Sequence, residues 1–116
     1  MKTSGDLPEI SGLHIVGSQA EFTICLPENL LYFQGHFPEE PILPGVVQIH
    51  WAMLLGQRLL NSSKKFIGMS QIKFHMPAKP GDELDVFLDW NLEKSLLCFR
   101  YSLAKKVVSS GRIRLG

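Results

Sequence analysis

Residues 35–53 read GHFPEEPILPGVVQIHWAM, a stretch in which Pro38, Pro41 and Pro44 lead directly into an apolar run. Each proline fixes φ and removes a backbone donor, so a loop built this way holds His36 in place rather than letting it sweep through solvent. Gly35 and Gly45 flank the prolines and allow close backbone approach or unusual φ at either end. From Pro44 to Leu60 the chain runs PGVVQIHWAMLLGQRLL. A proline suits a helix start, where its missing N–H would have no partner anyway, and Ala, Met and Leu favour helix over strand. Only Gln48, His50, Gln57 and Arg58 interrupt the apolar content. The pattern therefore predicts a central helix covered nearly all round, with His50 buried in it and Asn61–Ser63 ending it.

The flanks read as strands. Phe22, Ile24 and Leu26 alternate with Glu21, Thr23 and Cys25, the period-2 signature of a sheet with one buried face. Residues 66–78 form a second candidate strand, closed by the turn KPGD at 79–82. Leu84, Val86, Leu88 and Trp90 alternate with Glu83, Asp85 and Asp89. The segment NLEKS at 91–95 then connects to LLCFRYSLA, and KKVVSSGRIRLG supplies a last strand or two. One long apolar helix among antiparallel strands predicts an α+β fold, a curved sheet wrapped around the helix. At 116 residues the expectation is a single domain over 1–116, with residues 1–10 as a loose arm.

Composition excludes several classes. Hydrophobic content of 45% and charged content of 20% are those of a folded globular chain. A net charge of +1 gives no general attraction to nucleic acid or to an anionic membrane surface. No apolar run is long enough to span a bilayer, and the opening residues lack an export core, so a cytoplasmic protein is expected. Cys25 and Cys98 have no partner spacing and are expected to be buried structural thiols. No metal-ligand spacing, glycine-rich phosphate loop or G-x-S-x-G elbow occurs, so neither a metal nor a resident cofactor is expected.

Two readings of His36 stand side by side: a satisfied loop residue, or a general base. The second draws on its setting, because the loop delivers the chain to a helix N-terminus whose unpaired N–H groups can hold a carbonyl oxygen as charge develops on it. A base beside such a group is what proton abstraction next to a thioester carbonyl requires. Residues 35–53 resemble the signature of the β-hydroxyacyl-acyl-carrier-protein dehydratases, the FabA/FabZ family of hotdog-fold enzymes, in which G-H-F-P-x-x-P-x-x-P-G-V precedes the central helix. A second block, FIGMSQIKFHMPAKPGDEL at 66–84, is similar to that family's strand ending in P-G-D. Gln48 and Trp51, with the spacing P-I-L-P-G-V, resemble a divergent branch associated with aryl-polyene-type pathways.

The resemblance implies a hotdog dimer, or a higher homo-oligomer, with active sites at the subunit interface. It implies an acyl thioester delivered on the phosphopantetheine of acyl carrier protein. His36 takes the part of the base and the Gly45 N–H that of the carbonyl-binding group, with Phe37, Pro44, Val46 and Trp51 also around the substrate. The family's second catalytic residue is a carboxylate five positions after that glycine, contributed by the partner subunit, and here that position is His50. No Asp or Glu occurs from Pro41 to Gly81, and Glu39 and Glu40 read as solvated loop residues, so the acid is absent from the helix rather than shifted along it. His50 is then either a satisfied core residue or a donor that helps the 3-hydroxyl depart, since an imidazole N–H can donate where a carboxylic acid would.

Three functions remain open at this level: a (3R)-hydroxyacyl-thioester dehydratase, a non-catalytic acyl-carrier-binding subunit, and an acyl thioesterase. The carboxylate-free helix counts against the last. Arg58, Lys64, Lys65, Lys73 and Lys79 are either solvated surface cations or a docking patch for an acidic carrier protein.

Overall fold

The structure, a computed structural model, describes residues 7–27 and 42–116. The strands are β1 (Ile10–Val16), β2 (Gln19–Cys25), β3 (Phe66–Phe74), β4 (Glu83–Asn91), β5 (Leu96–Leu103) and β6 (Lys106–Leu115). The helix is α1 (Gly45–Leu60). All strand pairs are antiparallel, and the six-stranded sheet has the order β1-β2-β4-β5-β6-β3. The α+β expectation of a sheet with one long helix against it holds. Among the described residues no helix is long and apolar enough to cross a membrane.

The alternation read from the sequence sets the inner face. Phe22 and Ile24 on β2, Leu84, Val86 and Leu88 on β4, and Leu97, Phe99 and Tyr101 on β5 are all buried. They meet Val47, Ile49, Trp51, Ala52 and Leu55 of the helix in one core. Phe22, Val86, Tyr101 and Ser109 stand directly opposite one another across four adjacent strands. This register places a tyrosine and a serine under the start of the helix.

Several boundaries differ from expectation. The sequence before β2 contains a separate strand, β1, which hairpins onto β2 through Gly17 at φ +59°, a conformation that favours glycine. The strand beginning at Phe66 stops at Phe74 rather than at 78, because His75 and Met76 leave the ladder and donate to the Val108 carbonyl instead. Pro44 is the residue capping α1, with φ −59° and ψ 145°, and not its first helical residue. Asn61 ends the helix in the left-handed region at φ 57°, a conformation asparagine tolerates well, and its N–H donates to the Gly56 carbonyl. Of the expected loose arm, residues 1–6 lie outside the described residues, while Pro8 is buried and Ile10 opens β1.

The cysteines correct a further expectation. Cys25 is exposed and Cys98 only half-buried, and both are free thiols. Cys25 shares the outward alternation of Glu21 and Thr23, so its strand position overrides the usual preference of cysteine for the core. At Cys98 burial pushes the thiol up from its ordinary value, with Arg112 opposing the shift and Asp89 adding to it.

Candidate active site

Both sides of the proline-rich segment are tied to the turn after β3. Leu26 donates to the Asp82 carbonyl at 2.9 Å and accepts from the Gly81 N–H at 2.7 Å. Leu43 donates to the Ala78 carbonyl at 2.8 Å. The turn itself is closed by Asp82, whose carboxylate accepts from the Lys79 N–H at 2.8 Å, with Gly81 at φ +87°. The P-G-D block singled out in the sequence is thus a clamp on the chain entering and leaving residues 28–41. Those residues, which include His36, Phe37, Glu39 and Glu40, lie outside the described residues.

From Leu43 the chain enters α1, where Gln48 is anchored on every side. Its side chain is 3% exposed. Its Nε2 donates to the Leu43 carbonyl at 3.3 Å, and its Oε1 accepts from the Ser109 hydroxyl at 2.6 Å. Its backbone carbonyl accepts from the Tyr101 hydroxyl at 2.7 Å. Burial pushes the Tyr101 phenol far above its ordinary value, so it acts as a neutral donor. Sequence reasoning noted Gln48 as an interruption of the apolar run and as part of the resemblance to a divergent branch, but gave it no structural partners. The signal available was its place on the helical face of Trp51, Ala52 and Leu55, where a polar group needs partners.

Among the described residues, no strand buries the other side of the helix. Val46 is 72% exposed, His50 and Arg58 are exposed, and Met53, Leu54 and Gln57 are half-buried. The expectation of a helix covered all round, with a buried His50, is therefore corrected: the sheet covers one side, and the apolar residues of the other face outward. Trp51 is wholly buried on the sheet side and does not share the His50 face. Pro44 and Gly45 are half-buried at the junction.

Gly45 packs closely under the ring of Phe74, which would have to shift to admit a side chain there. A Cβ built there would lie 2.5 Å from Cζ of Phe74, whose ring covers that position from the end of β3. Phe74 is half-exposed, and Phe66, Ile67 and Met69 on the same strand are also large exposed apolar residues. Among the described residues β3 pairs on one side only, with β6, so its second edge is open. The structure thus brings Pro44, Gly45, Val46, His50 and Phe74 to one region beside an open apolar edge. Arg58, Lys64, Lys65, Lys73 and Lys79 are all exposed.

Known proteins match this arrangement. The sequence profile of the ApeI-like family, described as ApeI dehydratase, matches residues 14–112. The 3-hydroxyacyl-acyl-carrier-protein dehydratase FabZ of Clostridium beijerinckii is 37% identical over 68 residues, covering 53% of this chain and 48% of that protein. The chain thus aligns with about half the length of this curated relative. A chain of the dehydratase heterocomplex ApeI:P from Xenorhabdus doucetiae superposes with a TM-score of 0.87 at 36% identity, covering 93% of this chain and 96% of that one. The R-hydratase PhaJ1 from Pseudomonas aeruginosa, at 22% identity and a TM-score of 0.60 over 86% of this chain and 79% of that one, shares the fold. With its profile match running through nearly all of the sheet and helix, the chain belongs to the ApeI-like dehydratase family, a divergent branch of the FabA/FabZ-like hotdog proteins.

Proposed function

We propose that this chain is a hydro-lyase that converts a (3R)-3-hydroxyacyl thioester, carried on the phosphopantetheine of acyl carrier protein, into the trans-2-enoyl thioester. The thioester oxygen accepts from the Gly45 N–H, where the first turn of α1 offers donors to developing negative charge. His36 removes the proton from C2, the C3–O bond breaks and the C2=C3 bond forms. The proton taken from C2 and the hydroxyl lost from C3 make up the water released. The His50 N–H holds the departing oxygen. Phe37, Pro44 and Val46 complete the proposed surroundings of the substrate, and the chemistry needs no resident cofactor.

The observation that carries this reading is the position of His50 on the open face of α1, five residues from Gly45 and beside exposed Val46. A histidine needed only for the core would point toward the sheet, as Gln48 does. Its outward direction fits a group offered to a site completed by a second copy. We assign the exposed apolar edge formed by Phe66, Ile67, Met69 and Phe74 to that homodimer contact, since open apolar edge strands pair with another chain. A cytoplasmic setting and a fatty-acid or polyene-like pathway go with the same reading.

Mass spectrometry of a 3-hydroxyacyl carrier-protein thioester incubated with the protein tests it. Loss of water is expected, and His36→Ala must abolish it. His50→Glu should retain or raise it, because a carboxylic acid can also donate to the leaving oxygen.

A second reading has its own observation: α1 contains no Asp or Glu at all. A chain lacking the family acid would serve as a non-catalytic acyl-carrier-binding subunit, and the same assay would then record binding with the acyl group unchanged. Loss of the whole acyl group would instead identify a thioesterase.

A further inference from the structure

The buried amide of Gln48 does more than the core requires. An apolar side chain of similar length would fill the same space without having to satisfy two donors and an acceptor. Here the amide is bonded at both ends, and its partners lie on three separate parts of the fold: Leu43 before the helix, Ser109 on β6 and, through the Gln48 carbonyl, Tyr101 on β5. Tyr101 and Ser109 are themselves direct cross-strand neighbours, so both contacts come from one row of the sheet. The Gln48 N–H also donates to the Pro44 carbonyl at 3.3 Å. Leu43 is consequently held from two sides, by Ala78 through its N–H and by Gln48 through its carbonyl.

These bonds fix the height and rotation of the first turn of α1 relative to the sheet, and they hold Leu43, the residue that leads into it. We propose that Gln48 is a positioning residue for the dehydration: with Ser109 and Tyr101 it sets how the first turn of α1, and with it the Gly45 N–H and the outward face bearing His50, sits on the sheet, without touching substrate. The proposal rests on the dehydratase reading. Its physical basis is that a displacement of about 1 Å between reacting groups can cost roughly a hundredfold in rate.

Steady-state kinetics on the full chain test it, with a 3-hydroxyacyl carrier-protein thioester as substrate. Gln48→Met keeps the volume and removes the bonds; kcat is expected to fall about 10- to 100-fold with KM within about threefold. Gln48→Glu gives the sharper readout. A neutral carboxylic acid can still donate to Leu43 and accept from Ser109, whereas the carboxylate cannot donate, and burial holds such a group protonated to higher pH than usual. Among the described residues Tyr101 is the titratable side chain bonded to Gln48, and its raised phenol stays neutral throughout this range. The Gln48→Glu variant should therefore approach wild-type kcat near pH 6 and lose about tenfold or more by pH 8.5, a limb absent from wild type.

Should Gln48→Met fail to fold, Ser109→Ala reads the same effect as a smaller loss of kcat, about 3- to 10-fold at unchanged KM. Wild-type dehydration with kcat unaltered in the folded variants, or a change in KM alone, overturns the positioning role while leaving the dehydratase reading intact. No dehydration by wild type overturns that reading and this inference with it.

Discussion

The two faces of α1 have opposite fates although both carry large apolar residues. The inward face, Val47, Gln48, Ile49, Trp51, Ala52, Leu55 and Gly56, is buried against the sheet, and even its one amide is bonded at both its nitrogen and its oxygen. The outward face carries Val46, His50, Met53, Leu54, Gln57 and Arg58 and is covered by none of the described elements well enough to bury it. The inward face makes the fold; the outward face is free for chemistry and for a second chain. Apolar residues can thus stand on both sides of a helix for two different reasons, and only one of them concerns the stability of its own chain.

That division can be broken most forcefully at His50. His50→Ala should lower dehydration about 10²- to 10⁴-fold, the usual range for loss of a group assisting proton transfer. Unfolding by urea should nonetheless stay within about 0.5 kcal/mol of wild type, because the residue is exposed. A large stability loss would place His50 in the structural face instead. The mirror experiment is Leu55→Ala, at a residue 1% exposed in the core. It should cost about 2–5 kcal/mol in the same urea titration, from lost transfer energy and the cavity left behind.

Met69→Asp sharpens the account of the open edge. Placing a charge on this half-exposed strand should weaken self-association at least about tenfold in sedimentation analysis, since an unpaired interfacial charge is costly to desolvate. Activity should fall with the dimer while circular dichroism stays native. The smallest effect belongs to Tyr101→Phe, which removes the hydroxyl donating to Gln48 and should cost about 1 kcal/mol at neutral pH. The phenol ionises near its ordinary value of 10.0 in the unfolded chain and only at higher pH in the folded one. The unfolded state therefore releases its proton first, and wild-type stability falls as pH rises above 10.0. Tyr101→Phe lacks that part of the alkaline loss, so the gap between the two proteins should narrow there in pH-dependent urea unfolding.

Much of this was legible in the sequence. The alternation through Phe22 to Leu26 and Leu84 to Trp90 reports burial on one sheet face directly, and α1 differs from its expected span only at Pro44. Strand β1 was harder to separate, because Leu13, Ile15 and Val16 are all exposed and give no inward alternation. The burial of His50 was misjudged because apolar neighbours such as Val46 and Leu54 look the same whether they face their own sheet or open away from it. The Gln48 network escaped for another reason: Tyr101 and Ser109 lie 53 and 61 residues further along the chain, and only the strand register brings them together. Gly45 stood out in the sequence, but its close approach to Phe74 depends on the path of β3 and left no local trace.

The claim that the outward face of α1 completes a site in a second copy is tested most directly by mixing two inactive variants. His36→Ala and His50→Ala should each be nearly inactive alone. When they are co-unfolded, refolded together and assayed for dehydration, the mixed dimer contains one site with both histidines intact. Random pairing then predicts recovery of about one-quarter of wild-type activity, from half the dimers each with one working site. If His36 and His50 of the same chain form the site, no pairing restores it, and a mixture as inactive as its components would contradict the account.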